Sequence, residues 1–102
     1  MTYDNELTLI GQATVADDEI GNQIPAETQT VILCGLKSVS RLEFYNAALN
    51  DLRPERVFVV HAYEYNGEKT VEFEGERYRV IRTYGQGIEE VELTCEKVAA
   101  DG

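Results

Sequence analysis

Apolar and polar residues alternate along most of the chain, the pattern of strands with one face on a core and one in solvent. Glu6 to Thr14 opens it, with Leu7 and Leu9 on one side and Thr8 and Ile10 on the other. Glu27 to Val39 sets Thr28, Thr30, Ile32 and Cys34 against Gln29, Val31, Leu33 and Gly35. Both sides turn apolar toward Leu33, which predicts burial on two faces or at a subunit contact. Arg56 to Tyr65 is the run richest in β-branched and aromatic residues and predicts a third strand. Asn66-Gly67 behind it predicts a tight two-residue hairpin, since both positions tolerate positive φ. Lys69 to Glu74 would return, Glu74-Gly75 would turn again, and Arg77 to Tyr84 and Ile88 to Val98 complete the strands.

Ser38 to Pro54, SVSRLEFYNAALNDLRP, departs from this period. Leu42, Tyr45, Ala48, Leu49 and Leu52 recur at steps of three and four, one face of a helix. Arg41, Glu43, Asn46, Asn50 and Arg53 fall opposite. Ser40 and Glu43 have the spacing of a capping box, and Asn50, Asp51 and Pro54 form a stop. A helix this short is marginal alone. It is expected to dock, on its own strands or on a second copy.

Val15 to Pro25 predicts a long exposed loop, with Asp17, Asp18, Glu19, Gly21, Asn22 and Pro25 as turn formers. Its acids do not have calcium-loop spacing. The fold expected is mainly β: a small antiparallel barrel of about six strands, with one short helix or mobile loop between strands two and three. A barrel is preferred to a sandwich because closure removes aggregation-prone edges.

With 102 residues, the chain predicts one domain spanning 1–102. The N-terminus lacks a signal-peptide pattern and no apolar run is long enough to span a membrane, so a cytosolic, membrane-free protein is expected. Acidic residues outnumber basic ones 19 to 9, giving a net charge of −10. That argues against sustained binding to phosphate backbones, and it suits a surface past which DNA slides without sticking.

Chemistry is sparse. His61 is the only histidine and has no nucleophile or second ligand at a useful spacing; no enzyme, metal or cofactor is expected. Cys34 and Cys95 read as reduced, half-buried residues, with a disulfide as the alternative. Arg77, Arg79 and Arg82 form the one basic cluster, readable as cross-strand partners for glutamates or as a dock for an acidic partner. Tyr63, Tyr65, Tyr78 and Tyr84 admit a second reading, a small barrel that stacks single-stranded nucleic acid.

The order of segments resembles the head-closure proteins, also called stopper or head-tail joining proteins, of long-tailed phages and prophages. The similarity is carried by Val39-Ser40, Glu43-Phe44-Tyr45 and Ala47, then Pro54 with Val57-Phe58-Val59, then Tyr65-Asn66-Gly67-Glu68 with Val71. It continues through Gly75-Glu76-Arg77-Tyr78, Val80, Arg82-Thr83-Tyr84 and Ile88-Glu89 to Leu93. The resemblance implies a β-barrel assembling as a homo-oligomeric ring beneath portal and adaptor, closing the DNA channel after packaging and offering its other face to the tail or tail-terminator protein. DNA would pass without specific binding. Such a protein would reside in the bacterial host cytoplasm during assembly and in the virion neck afterwards. The gate of the family corresponds here to Ser38 to Pro54, with Ser40, Glu43, Phe44, Tyr45, Asn46, Leu49 and Asp51 as its residues. The acidic loop, with Asp17, Asp18, Glu19 and Asn22, is the alternative gate.

Overall fold

The computed structural model describes residues 2–17, 23–86 and 89–98, with the side chains of 13–17, 23–25 and 86 outside the description. The elements are β1 (Asn5–Asp17), β2 (Gln23–Lys37), α1 (Arg41–Ala48), β3 (Pro54–His61), a 3₁₀ turn (Ala62–Glu64), β4 (Thr70–Phe73), β5 (Glu76–Gln86) and β6 (Glu90–Lys97). The six strands close into an antiparallel barrel in the order β1-β2-β3-β6-β5-β4. The expected mainly β barrel, with a short helix between the second and third strands, is the fold observed.

Alternation builds the interior. Leu7 and Leu9 from β1, Ile32 and Cys34 from β2, Phe58 and Val60 from β3, Val71 and Phe73 from β4, Tyr78 from β5, and Leu93 and Cys95 from β6 form one buried cluster. Phe58 sits at its centre, with Phe73 tilted against it at 5.2 Å and Tyr78 edge-on at 5.7 Å between ring centroids, geometries that suit the ring quadrupoles. Both cysteines are free and buried, so no disulfide staples the sheet. They are more deeply enclosed than the half-buried placement expected, because both point into the barrel.

Several expectations are corrected. β1 and β2 extend toward each other well past the predicted ends, with Val15 opposite Ile24 and Asp17 opposite Gln23. The predicted Val15–Pro25 loop therefore has strand at both ends: pairing continues because one β-bulge between Val15 and Asp17 absorbs the irregularity. Asp18, Glu19 and Asn22, and the side chain of Asp17, lie outside the described residues, as does Ile88. The two apolar sides of β2 are not both buried within the chain. Ile32 and Cys34 face the core, whereas Val31 and Leu33 are exposed.

The third strand ends at His61, four residues early, where the chain turns into the 3₁₀ segment. His61 is thus a strand-end residue, not a mid-strand one. Asn66-Gly67 makes no tight hairpin, because β3 pairs with β2 and β6 whereas β4 pairs with β1 and β5. The segment after the 3₁₀ turn carries the chain from one side of the barrel to the other, and of the two turn residues only Gly67 has positive φ, at 84°. Glu74-Gly75 does form the tight connection expected, with φ of 51° and 80° and Phe73 opposite Glu76, as a primed hairpin turn requires.

Candidate functional site

The segment between β2 and β3 leaves and re-enters the barrel at neighbouring points, since Lys37 lies opposite Val57. It therefore stands out from the wall as a single insertion. Ser40 starts the helix from extended backbone (φ −73°, ψ 157°), and its hydroxyl accepts the Glu43 N–H at 3.1 Å. This is half of the predicted capping box. The other half is replaced: the Glu43 carboxylate reaches the barrel, accepts the Thr94 hydroxyl at 2.9 Å and stands 3.6 Å from the Arg82 guanidinium. Thr94 is the one buried polar side chain among the described residues, and Glu43 satisfies it where an unpaired hydroxyl would be costly.

Beside this clamp runs a groove of about 260 Å³ lined by Ser40, Glu43, Val57, Arg82, Tyr84 and Thr94. Lys37 and Glu92, joined at 3.0 Å, close it on one flank.

The helix ends as its sequence directs. Asp51 N–H donates to Ala48 C=O at 3.1 Å and Leu52 N–H to Ala47 C=O at 3.0 Å, with Asp51 at φ 59°. That is a Schellman closure, in which an aspartate takes the left-handed position usually given to glycine. Asn50 adds a side-chain bond to the Asn46 carbonyl at 3.3 Å.

The apolar face does not dock. No residue of α1 is buried; Leu42 is 69% exposed, Leu49 68%, Tyr45 62%, and Phe44, on another face, 50%. The expected docking on the chain's own strands is absent, because the first-turn carboxylate, not the leucine stripe, faces the barrel.

The three arginines are engaged. Arg77 makes a bidentate pair with Glu27 at 2.9 and 3.0 Å and approaches Glu72 at 3.6 Å. Arg79 pairs with Glu96 and Arg82 with Glu43. The bond to Arg77, then its charge, lowers the Glu27 carboxyl below its ordinary pKa.

A cluster the sequence did not announce lies at the end of β3. His61 is stacked between Tyr3, at 4.1 Å, and Tyr63, at 5.4 Å, and the Tyr3 hydroxyl bonds to Glu90, the residue opposite His61 in the ladder. That bond, more than the partial burial and the neighbouring Glu89, pushes the Tyr3 phenol up to about 12. His61 and Tyr63 are near neighbours in the chain, but only the tertiary fold brings Tyr3 and Glu90 to them, so no local pattern points to the cluster.

Burial pushes the thiols of Cys34 and Cys95 up to about 11 and about 12, so neither is a nucleophile near neutrality. Among the described residues no group of three histidine, cysteine, aspartate or glutamate side chains is placed to hold a metal. No helix among the described residues is long and apolar enough to cross a membrane. The chain matches no protein-family model and no curated protein.

Proposed function

We propose that this protein is a structural part of a phage or prophage head-tail connector. It assembles as a ring on the adaptor below the portal, and its α1 segment is the gate that closes the DNA channel. The observation that carries the reading is α1 itself: an apolar face left in solvent, on an element fixed to the barrel by one carboxylate clamp. An element held this way can exchange its surroundings at small cost, and its exposed leucines and tyrosine gain cover when copies converge on an axis. The net charge of −10 suits a conduit that must not retain DNA.

Of the tyrosines of the nucleic-acid reading, Tyr78 is a core residue, whereas Tyr63 and Tyr84 are exposed, Tyr84 opposite Glu92; the acidic charge is what favours the connector reading over it.

Deleting the chain from the genome that encodes it tests the proposal. Filled capsids that leak DNA and fail to join tails are expected, and restoring the chain with Tyr45→Asp and Leu49→Asp should give a stable protein that does not restore closure. Normal, sealed, tailed particles without the chain would overturn the reading.

A further inference from the structure

The β1–β2 ribbon outruns the barrel at both edges. β4 pairs with β1 only through Thr8, Leu9 and Ile10, and β3 pairs with β2 only through Gly35, Leu36 and Lys37. Beyond these, the two strands pair with each other alone. The outer edge of β1 from Gly11 to Asp17, and that of β2 from Gln23 to Cys34, have no ladder partner among the described residues.

An open edge invites another strand, and folded proteins blunt such edges with charge, proline, bulges or brevity. Here such protection sits at the ends: Glu68 lies beside Gly11 where β1 leaves the barrel, and Asp17 and Glu27 mark the far part of the ribbon. Leu7 to Ala16 and Thr28 to Leu36 contain no charged residue, in a chain where 27% of residues are charged. Pro25 and the bulge between Val15 and Asp17 protect only the far end. On the outward face of β2, Val31 is 62% and Leu33 51% exposed. The Arg77–Glu27 pair connects the ribbon to β5.

We infer that this ribbon is the contact between copies: the free edge of β2 in one copy adds to the free edge of β1 in the next. This names the ring-forming surface and rests on the ring proposed above. The occupant is a second copy because the two free edges match in direction. β1 and β2 run antiparallel, so a rotated copy presents its β1 opposed to the β2 it meets, as antiparallel pairing requires. Each copy then keeps one edge for its next neighbour, a head-to-tail contact that propagates and closes into a ring. The charge pattern favours the same surface. Copies of net charge −10 repel one another, and the uncharged stretches Leu7 to Ala16 and Thr28 to Leu36 are where approach costs least. One ribbon edge buries less than the roughly 1,600 Å² of a standard interface, so free copies associate weakly and the ring depends on closure.

The test is hydrogen exchange and sedimentation on the whole chain at about 10 μM and about 1 mM. Association at the higher concentration should slow the amides of residues 11–17 and 26–34 by about tenfold. Val31→Lys with Leu33→Lys should abolish both effects with an unchanged circular-dichroism spectrum. Association without protection of those amides, or undiminished in the lysine variant, overturns the inference and leaves the ring reading standing with a different contact. A chain that remains monomeric at 1 mM overturns the self-pairing, and if it stays monomeric on the adaptor as well, the ring reading falls with it.

Discussion

Replacing Tyr45 and Leu49 together by aspartate separates a free helix from a core helix. A leucine taken fully out of water is worth about 1.5–3 kcal/mol. With Tyr45 62% and Leu49 68% exposed, roughly a third of such a contribution is in play at each site. Aspartate costs up to about 0.7 kcal/mol in helix propensity, and at the last turn it opposes the helix dipole by about 0.3–1 kcal/mol. These costs fall on α1, which buries no residue and contributes nothing to the barrel ladders, so the folded state can lose no more than the marginal stability of α1 itself, whatever their sum. Global unfolding should therefore change by less than about 1 kcal/mol, against about 2–5 kcal/mol for Leu93→Ala in the core. In urea, where a domain of this size loses about 1–1.5 kcal/mol per molar, the double variant should move the midpoint by less than about 1 M. Leu93→Ala should move it by about 1.3 M or more. Hydrogen exchange should show faster opening confined to residues 41–52. A double variant as unstable as Leu93→Ala would refute the reasoning, because it would make α1 part of the folded core.

Other outcomes follow from the same contacts. Glu43→Gln should keep the Thr94 bond but lose the charge pairing with Arg82, so α1 amides should exchange severalfold faster, and 0.5 M salt should reproduce this in the wild type but not in the variant. Asp51→Gly should relieve the positive φ and stabilise the last helical turn by up to about 1 kcal/mol, read as slower exchange at residues 49–52, whereas Asp51→Ala should not. Cys34 and Cys95 should resist a thiol reagent at pH 8 in the folded protein and react at once in urea, since burial raises both thiols. Arg77 lowers the folded pKa of Glu27 from its ordinary 4.5, so this pair stabilises above that value and is lost as pH falls through the lowered one. The thermal midpoint of Glu27→Gln should accordingly lie below the wild type at pH 7 and meet it in strong acid.

Much of the fold was legible before any coordinates. Alternation put Leu7 with Leu9, and Ile32 with Cys34, on shared faces, because a pleated strand turns every second side chain the same way. Ser40 and Asp51 marked the helix ends through local hydrogen bonding, which needs only neighbours in the chain. Glu74-Gly75 announced a hairpin for the same reason. Partners distant in sequence were not legible. Asn66-Gly67 has the local chemistry of a hairpin, yet β3 and β4 lie on different sides of the barrel, and only closure of the sheet decides that. The leucine stripe of α1 predicted docking from periodicity alone, and tertiary structure turned Glu43 inward to Thr94 and Arg82 instead. Likewise β1 and β2 were readable as strands, but their open edges exist only because β3 and β4 pair with three residues of each. Local pattern sets the elements; which edges and faces remain uncovered depends on where the barrel closes, a property of all six strands together.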